Sequence, residues 1–313
     1  MEASSGIDMN WLTILAADGI GPAIARRLLN GFDCPRRILA SDPSEISARC
    51  GLRMEAAEAI SRALSSSDPR SDQSSLLRVG GRYLLFQQMG YPTRLCNIPD
   101  PPTVLRVRGG SLVDGGLCIA VVGTRRCSPY GLRQAARFSS ALAGAGITVV
   151  SGGARGIDAQ VHRSAMKSGG KTVVVMGSGL GHVYPPEHDG LFEEVVGAGG
   201  VLVSEHAHGQ PPRPGQFPRR NRIVSGLSIG VLVIEAPRRS GAMITARMSV
   251  EDHGGEAWAV PGSVERPHSS GCHEAISNGW AALVDSPDTL LQCLEDQGWL
   301  RQVRSSDRIA GQP

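Results

Sequence analysis

Three arginines in four residues, Arg219, Arg220 and Arg222, separated only by Asn221, follow a proline-rich approach and two histidines in the stretch from Ser204 to Ser228. An unpaired buried charge costs several kcal/mol or more, so each guanidinium needs a carboxylate, a phosphate or water. The run supplies no acid of its own. A helix starting near Phe217 puts Arg219 and Arg222 three apart on one face, with Ile223 and Leu227 toward the core. That face suits a planar polyanion; a solvated basic helix start is the plain alternative.

Other segments offer related chemistry. GTRRCSPYG, Gly123 to Gly131, carries a hydroxyl on Thr124 and fixed positive charge on Arg125 and Arg126 just before a helix. SGGARGID, Ser151 to Asp158, combines Ser151, Gly152, Gly153 and Arg155 at a helix opening, where free amides and a helix dipole can cradle an anion. PRRSGAMITA brings Arg238, Arg239, Ser240 and Gly241 to the start of a further helix. GSGLGHVYPP begins like a dinucleotide loop but has His182 where the last glycine belongs, a weak signal. A dinucleotide site needs one pyrophosphate loop and a ribose-binding acid, whereas several basic loops on one rim suit successive phosphates along a groove.

The elements that must position these loops are legible as apolar runs. LCIAVVG (Leu117 to Gly123), ITVV, KTVVVMG, VLVS, IGVLVIEA and EAWAV are valine-rich and separated by helix-length segments. They predict a parallel sheet buried on both faces, hence a doubly wound α/β domain whose ligands lie beyond the carboxyl ends of the strands. A short strand is expected at Val104 to Val107. Upstream, WLTILAADGIGPAIARRLL reads as helix, turn, helix, with Gly19 and Gly21 in the turn; it looks like a helix-hairpin-helix, a module that often binds DNA backbone, or equally a plain helical hairpin. The expected organisation is a helical domain over 1–67, a linker over 68–75, the α/β domain over 76–295 and a polar tail over 296–313.

Composition narrows the classes. The chain has 313 residues, 41% of them hydrophobic, so it is globular rather than disordered, and only 4% are aromatic, which argues against a surface built mainly of stacking platforms. A formal net charge of +3 means that any polyanion site must come from local clustering. Seven scattered cysteines without a CxxC favour a reducing cytosol over a disulfide framework or zinc site. No signal peptide is expected, and no apolar run approaches the ~20 residues of a membrane span, so a cytoplasmic protein is expected. Catalytic constellations are not evident: there is no Walker lysine, HExxH or Ser/His/Asp order. His206 and His208, two apart, make poor joint metal ligands; Asp158 reads as a helix cap and Glu235 as a partner for an arginine such as Arg238.

In order along the chain, VVGTRR, SGGARGID, GKTVVVMGSGL, the Tyr184–Pro185 pair, FPRRNRIVSGLS, IEAPRRSGAMITA and VPGS resemble the signature segments of the bacterial DNA-processing protein A family, also called Smf, from about Tyr91 to Leu291. The resemblance implies an extended Rossmann-like domain preceded by a helix-hairpin-helix or SAM-like unit. It further implies a single-stranded DNA-binding protein that protects incoming DNA and loads the RecA recombinase during natural transformation, a homodimer, and neither catalysis nor a cofactor. On matching positions it implies DNA contact by Arg125, a phosphate cradle at Ser151, Gly152 and Gly153, and the family's RNR segment at Arg219 to Arg222. His208 stands where some relatives place a basic residue, with a charge that depends on pH. Arg126, Arg155, Arg239, Ser240 and Gly241 complete the candidate DNA-binding set.

The chain departs from the family pattern at Gly181, where aspartate is common, at Pro186 and His188, and at Gly254–Gly255. From the short polar tail after Cys293, the winged-helix-like domain carried by many members is not expected here. The competing reading is a nucleotide-processing enzyme of the phosphoribohydrolase type, whose PGGxGTxxE motif has no match in RRSGAMITARMSVE or after Pro261.

Overall fold

The computed structural model describes residues 8–112 and 116–300, so of the expected tail at 296–313 the part from 301 onward lies outside the described residues. Six helices come first: α1 (Met9–Ala16), α2 (Pro22–Gly31), α3 (Pro35–Ala40), α4 (Pro43–Cys50), α5 (Met54–Ser66) and α6 (Arg70–Arg78). Their ends follow local chemistry. The Asp8 and Asp42 carboxylates accept backbone N–H groups at the starts of α1 and α4, prolines occupy the first positions of α2, α3 and α4, and Gly51 ends α4 in the left-handed region. Leu12, Ile14, Ala25, Leu28, Ile38 and Ile46 are fully buried between these helices, at about 2 kcal/mol per large aliphatic side chain.

The remaining elements are β1 (Gly81–Leu85), α7 (Thr93–Cys96), β2 (Val104–Gly109), β3 (Cys118–Val122), α8 (Pro129–Gly144), β4 (Thr148–Ser151), α9 (Ile157–Lys167), β5 (Thr172–Val175), α10 (Asp189–Gly197), β6 (Val201–Ser204), α11 (Gln216–Gly226), β7 (Gly230–Val233), α12 (Gly241–Glu251), β8 (Glu256–Ala259), α13 (Ser270–Ser277), β9 (Ala282–Leu283) and α14 (Pro287–Asp296). One nine-stranded sheet results, in the order β1-β2-β6-β5-β4-β3-β7-β8-β9. The strands from β6 to β9 are parallel; β2 pairs antiparallel with β6, Arg106 opposite Ser204, and β1 antiparallel with β2. From β3 the chain winds outward through β4, β5 and β6, then returns to lay β7 on the other side of β3. The order therefore reverses between β3 and β7, where the loops leaving those strands diverge and open a crevice.

Each central strand feeds two cores, as alternation requires. Ile119 and Val121 of β3 face α8, α9 and α14, packing with Phe138, Leu142, Val161 and Leu290; Ala120 and Val122 face the opposite layer, with Ile223, Met243 and Ala246. That second core is continuous with the interior of the first helices, through contacts of α1 with β1 and β2.

The polar stretch expected as a linker at 68–75 is mostly helix α6. Leu76 is fully buried, and the Asp72 carboxylate accepts from the Tyr83 hydroxyl at 2.9 Å, from Arg106 at 2.7 Å and from the His208 amide at 2.5 Å. A serine- and aspartate-rich composition disguised a segment fixed by one apolar and one ionic anchor.

Candidate nucleic-acid interface

A cleft of about 760 Å³ lies at the carboxyl ends of the strands, over the reversal between β3 and β7. Thr124, Arg125 and Arg126 enter it from the loop after β3, Gly152 and Ala154 from the loop after β4, Phe217, Arg220 and Asn221 from α11, and Ser240 and Gly241 from the start of α12. Ser128 begins α8 by accepting the Gly131 amide at 3.1 Å, and the Thr124 amide donates to the Glu235 carbonyl at 2.7 Å, so the arginine loop is pinned at both ends. Arg125 and Arg126 are exposed and form no ion pair among the described residues. The Arg125 guanidinium lies 5.8 Å from the centre of the Phe217 ring, and the Tyr184 ring lies 5.2 Å from Phe217 at a tilt of 50°. With Pro214, Pro218, Pro237 and Ile244, these rings make much of the cleft wall apolar. A guanidinium at such a distance from an aromatic face is held by the ring quadrupole while keeping its N–H groups available.

Of the remaining arginines, Arg220 and Arg222 are spent on structure, so of the pair Arg219 and Arg222 expected to present a phosphate-binding face only Arg219 is exposed. Arg222 is 7% exposed; its guanidinium grips the Glu205 carboxylate at 2.9 and 2.7 Å and bonds Asp100 at 3.0 Å. Burial pushes the Glu205 carboxyl up, and the bonds and charge of Arg222, with Arg219 and His206, outweigh that and hold it below the usual carboxylate range. Arg220 is 5% exposed and donates to the carbonyls of Gly152 and Val175. Burial lowers its pKa to about 10 and raises the pKa of Asp158, and the proximity of these two opposite charges resists both shifts. A side chain on Gly152 would stand 2.6 Å from Arg220 and 2.8 Å from Asp158, so only glycine admits this pair beneath the loop.

Other expected residues fall at different distances from the cleft. Asn221, Ser240 and Gly241 line it, but Asn221 donates to the Gly241 carbonyl at 3.3 Å and the Ser240 hydroxyl accepts the Met243 amide, capping α12. Ser151 is buried and donates to the Val121 carbonyl at 2.7 Å, and Gly153, at φ +70°, packs under Phe192 and Val174; both shape the loop rather than face the cleft. Arg155 is exposed at the margin and forks onto Glu187 at 2.5 and 3.0 Å. Arg239 is exposed beside Arg238, which pairs with Glu274 at 3.0 Å rather than with Glu235. Arg219 is exposed on the opposite side of α11, in a second groove of about 470 Å³ between that helix and the α1–α2 turn. His208 is placed at the junction with α6, its amide on Asp72 and its ring against Gly181, and burial lowers its pKa.

The sequence reading missed the two aromatic rings, which the low aromatic content made easy to discount; the signal was their place in the FPRR and YP segments. It also took Asp158 for a helix cap, whereas Gly156 holds that position and the Asp158 carboxylate accepts the Ala154 amide at 3.2 Å. Among the described residues no three histidine, cysteine or acidic side chains converge as metal ligands, and no helix is long and apolar enough to cross a membrane.

Comparison with known proteins places this arrangement. The family described as DNA recombination-mediator protein A matches residues 82–295. The protein Smf of Synechocystis is 34% identical over 96% of this chain and 77% of its own length. The X-ray structure of DNA processing protein A from Streptococcus pneumoniae superposes with a TM-score of 0.77 at 30% identity, over 90% of this chain and 97% of that one. DNA processing protein A from Helicobacter pylori, whose structure is described in terms of its single-stranded DNA binding mode, superposes with a TM-score of 0.62 at 28% identity, over 69% of this chain and 97% of that one. With the matched region containing every strand-end loop of the cleft, the chain belongs to the DNA recombination-mediator protein A family, that of the DprA and Smf proteins.

Proposed function

We propose that this chain binds single-stranded DNA in the cleft over β3 and β7, as a recombination mediator rather than a catalyst. The observation that carries the reading is the pairing, in one open cleft, of two arginines without acidic partners among the described residues, Arg125 and Arg126, with the adjoining rings of Phe217 and Tyr184. Phosphates follow the first and unpaired bases the second, and base stacking on an aromatic side chain contributes ~1–3 kcal/mol regardless of sequence. A duplex keeps its bases paired and stacked and offers them no such contact. Gly152, Asn221, Ser240 and Gly241 complete the inner surface, with Arg155 and Arg239 at its margin; Ser151, Gly153 and Arg220 serve it from below, and Arg222 anchors α11 to Glu205 and Asp100.

Protection of incoming DNA and RecA loading during natural transformation, in the cytoplasm and by a homodimer, belong to the same proposal and are supported by family membership. So does a boundary between helical and Rossmann-like domains near residue 76, after a segment that is itself helical. The test is fluorescence anisotropy of a labelled oligothymidine with an unlabelled duplex as competitor. Binding that the duplex displaces poorly, and that Phe217→Ala weakens about tenfold at constant fold, supports the reading. Equal displacement by duplex and single strand contradicts it.

A further inference from the structure

The loop that carries Arg125 and Arg126 owes its shape to a carboxylate on a different strand. Glu235 lies two residues beyond β7, is 2% exposed, and turns toward the start of α8. Its Oε2 accepts the Ser128 amide at 2.9 Å and its Oε1 accepts the Ser128 hydroxyl at 2.5 Å. Its own carbonyl accepts the Thr124 amide at 2.7 Å. One residue therefore grips the loop immediately before Arg125 and two residues after Arg126. The first turn of α8 is fitted to it as well: a side chain at Gly131 would collide with the Glu235 carboxylate. No guanidinium or ammonium pairs with this acid among the described residues. What balances its charge is the pair of hydrogen bonds from Ser128 and the positive end of a sixteen-residue helix.

In a doubly wound sheet the head of the helix that follows the first strand beside the reversal is where a ligand's phosphate ordinarily sits. Here β3 is that strand and α8 that helix, and the position is filled by the protein's own anion. We infer that Glu235 is a positioning residue for DNA binding: it stands in for a bound phosphate at the head of α8 and so holds the Arg125–Arg126 loop open toward the cleft before any DNA arrives. The inference rests on the DNA-binding reading above. Two consequences separate it from plain packing. Its effect on binding runs through the arginines, and it depends on hydrogen-bond acceptance at Ser128 more than on net charge.

The experiment is a double-mutant cycle on oligothymidine affinity, with thermal unfolding of each variant alongside. Glu235→Ala is expected to weaken binding about tenfold, and Glu235→Gln, whose amide oxygen still accepts the Ser128 amide, to restore it to within about threefold of wild type. In an Arg125→Ala, Arg126→Ala background the same Glu235→Ala change is expected to cost less than about twofold, the coupling expected of groups that act as one unit. If Glu235→Ala does not fold, Ser128→Ala removes the hydroxyl half of the same contact, leaving the backbone amide bond in place, and carries the cycle with a smaller expected loss of about threefold. Full additivity with the arginine changes, or a loss of binding that merely follows the loss of melting temperature and is not restored by Gln, overturns the inference. Wild type that fails to bind oligothymidine overturns the DNA-binding reading instead, and wild type that binds while both Glu235→Ala and Ser128→Ala bind equally well overturns the positioning role alone.

Discussion

The two arginines after β3 and two of the three arginines on α11 are the same residue type, yet they have opposite fates. Arg125 and Arg126 stand exposed with no ion pair among the described residues, while Arg220 and Arg222 lie buried against Asp158, Glu205 and Asp100. The difference is not in the arginines but in what neighbouring elements bring. The residue after β6 is Glu205, the loop before β2 supplies Asp100, and the first turn of α9 supplies Asp158. The loop after β3 meets the Glu235 carboxylate, already engaged with Ser128. Acids recruit Arg220 and Arg222 into the scaffold; engagement of Glu235 elsewhere leaves the β3 arginines free for an external anion.

The sharpest way to break that contrast is to remove a scaffold arginine. Arg220→Met leaves Asp158 buried without its counter-charge and frees two backbone carbonyls, so a loss of about 3 kcal/mol or more is expected in urea unfolding. Adding Asp158→Asn to it should recover part of the loss, because the stranded charge disappears. An Arg220→Met protein as stable as wild type would place this arginine with Arg125 rather than apart from it.

A second prediction concerns the same layer through pH. His162, fully buried behind the loop after β4, bonds Thr172 at 2.7 Å, and burial lowers its pKa from 6.5 to about 3. A histidine with a depressed folded pKa favours the folded state fully above 6.5, and that contribution is lost progressively as pH falls from 6.5 toward 3. Melting temperature should therefore drop over that interval, and His162→Gln should flatten the drop. An equally steep profile in the variant would assign the acid sensitivity to other groups, among them His206 and His253, whose pKa values are also lowered chiefly by burial.

The smallest effect lies at the margin between the two classes. Arg155 is exposed like Arg125 but paired like Arg222, with Glu187, and the pair is about half exposed on both sides. Such a solvent-exposed pair contributes little to stability. Glu187→Gln should leave melting unchanged and raise oligothymidine affinity by about two- to threefold at low salt, as Arg155 turns toward the strand. Unchanged affinity, measured by the same titration, would keep Arg155 out of the interface.

The contrast also marks how far the sequence could be read. Period and composition located the central strands, since Val173, Val174 and Val175 or Val231, Leu232 and Val233 bury both faces of their strands and need no partner to declare it. The strand-end loops were legible for the same reason: a run of valines that stops at Gly123 or Ser151 says where the sheet ends. What sequence could not show was which arginines the fold would consume, because Glu205, Asp100 and Asp158 reach them from distant positions and only the closed sheet brings them together. Nor could it show α6, where a single leucine and Asp72 hold a segment whose average composition is that of a linker. Phe217 and Tyr184 were present in quoted motifs, but their contact exists only once α11 crosses the ends of β4 and β5.

The central claim is that DNA affinity resides in Arg125 and Arg126 while Arg220 and Arg222 serve the fold. The most direct measurement is the salt dependence of oligothymidine binding by wild type and by the Arg125→Ala, Arg126→Ala double variant, each checked by thermal unfolding. For a single strand, log K falls against log salt with a slope of about −0.7 per phosphate neutralised. The account predicts that the double variant melts like wild type, binds at least tenfold more weakly at low salt and loses ~1.4 from the steepness of the slope. A double variant with wild-type affinity and slope would contradict it.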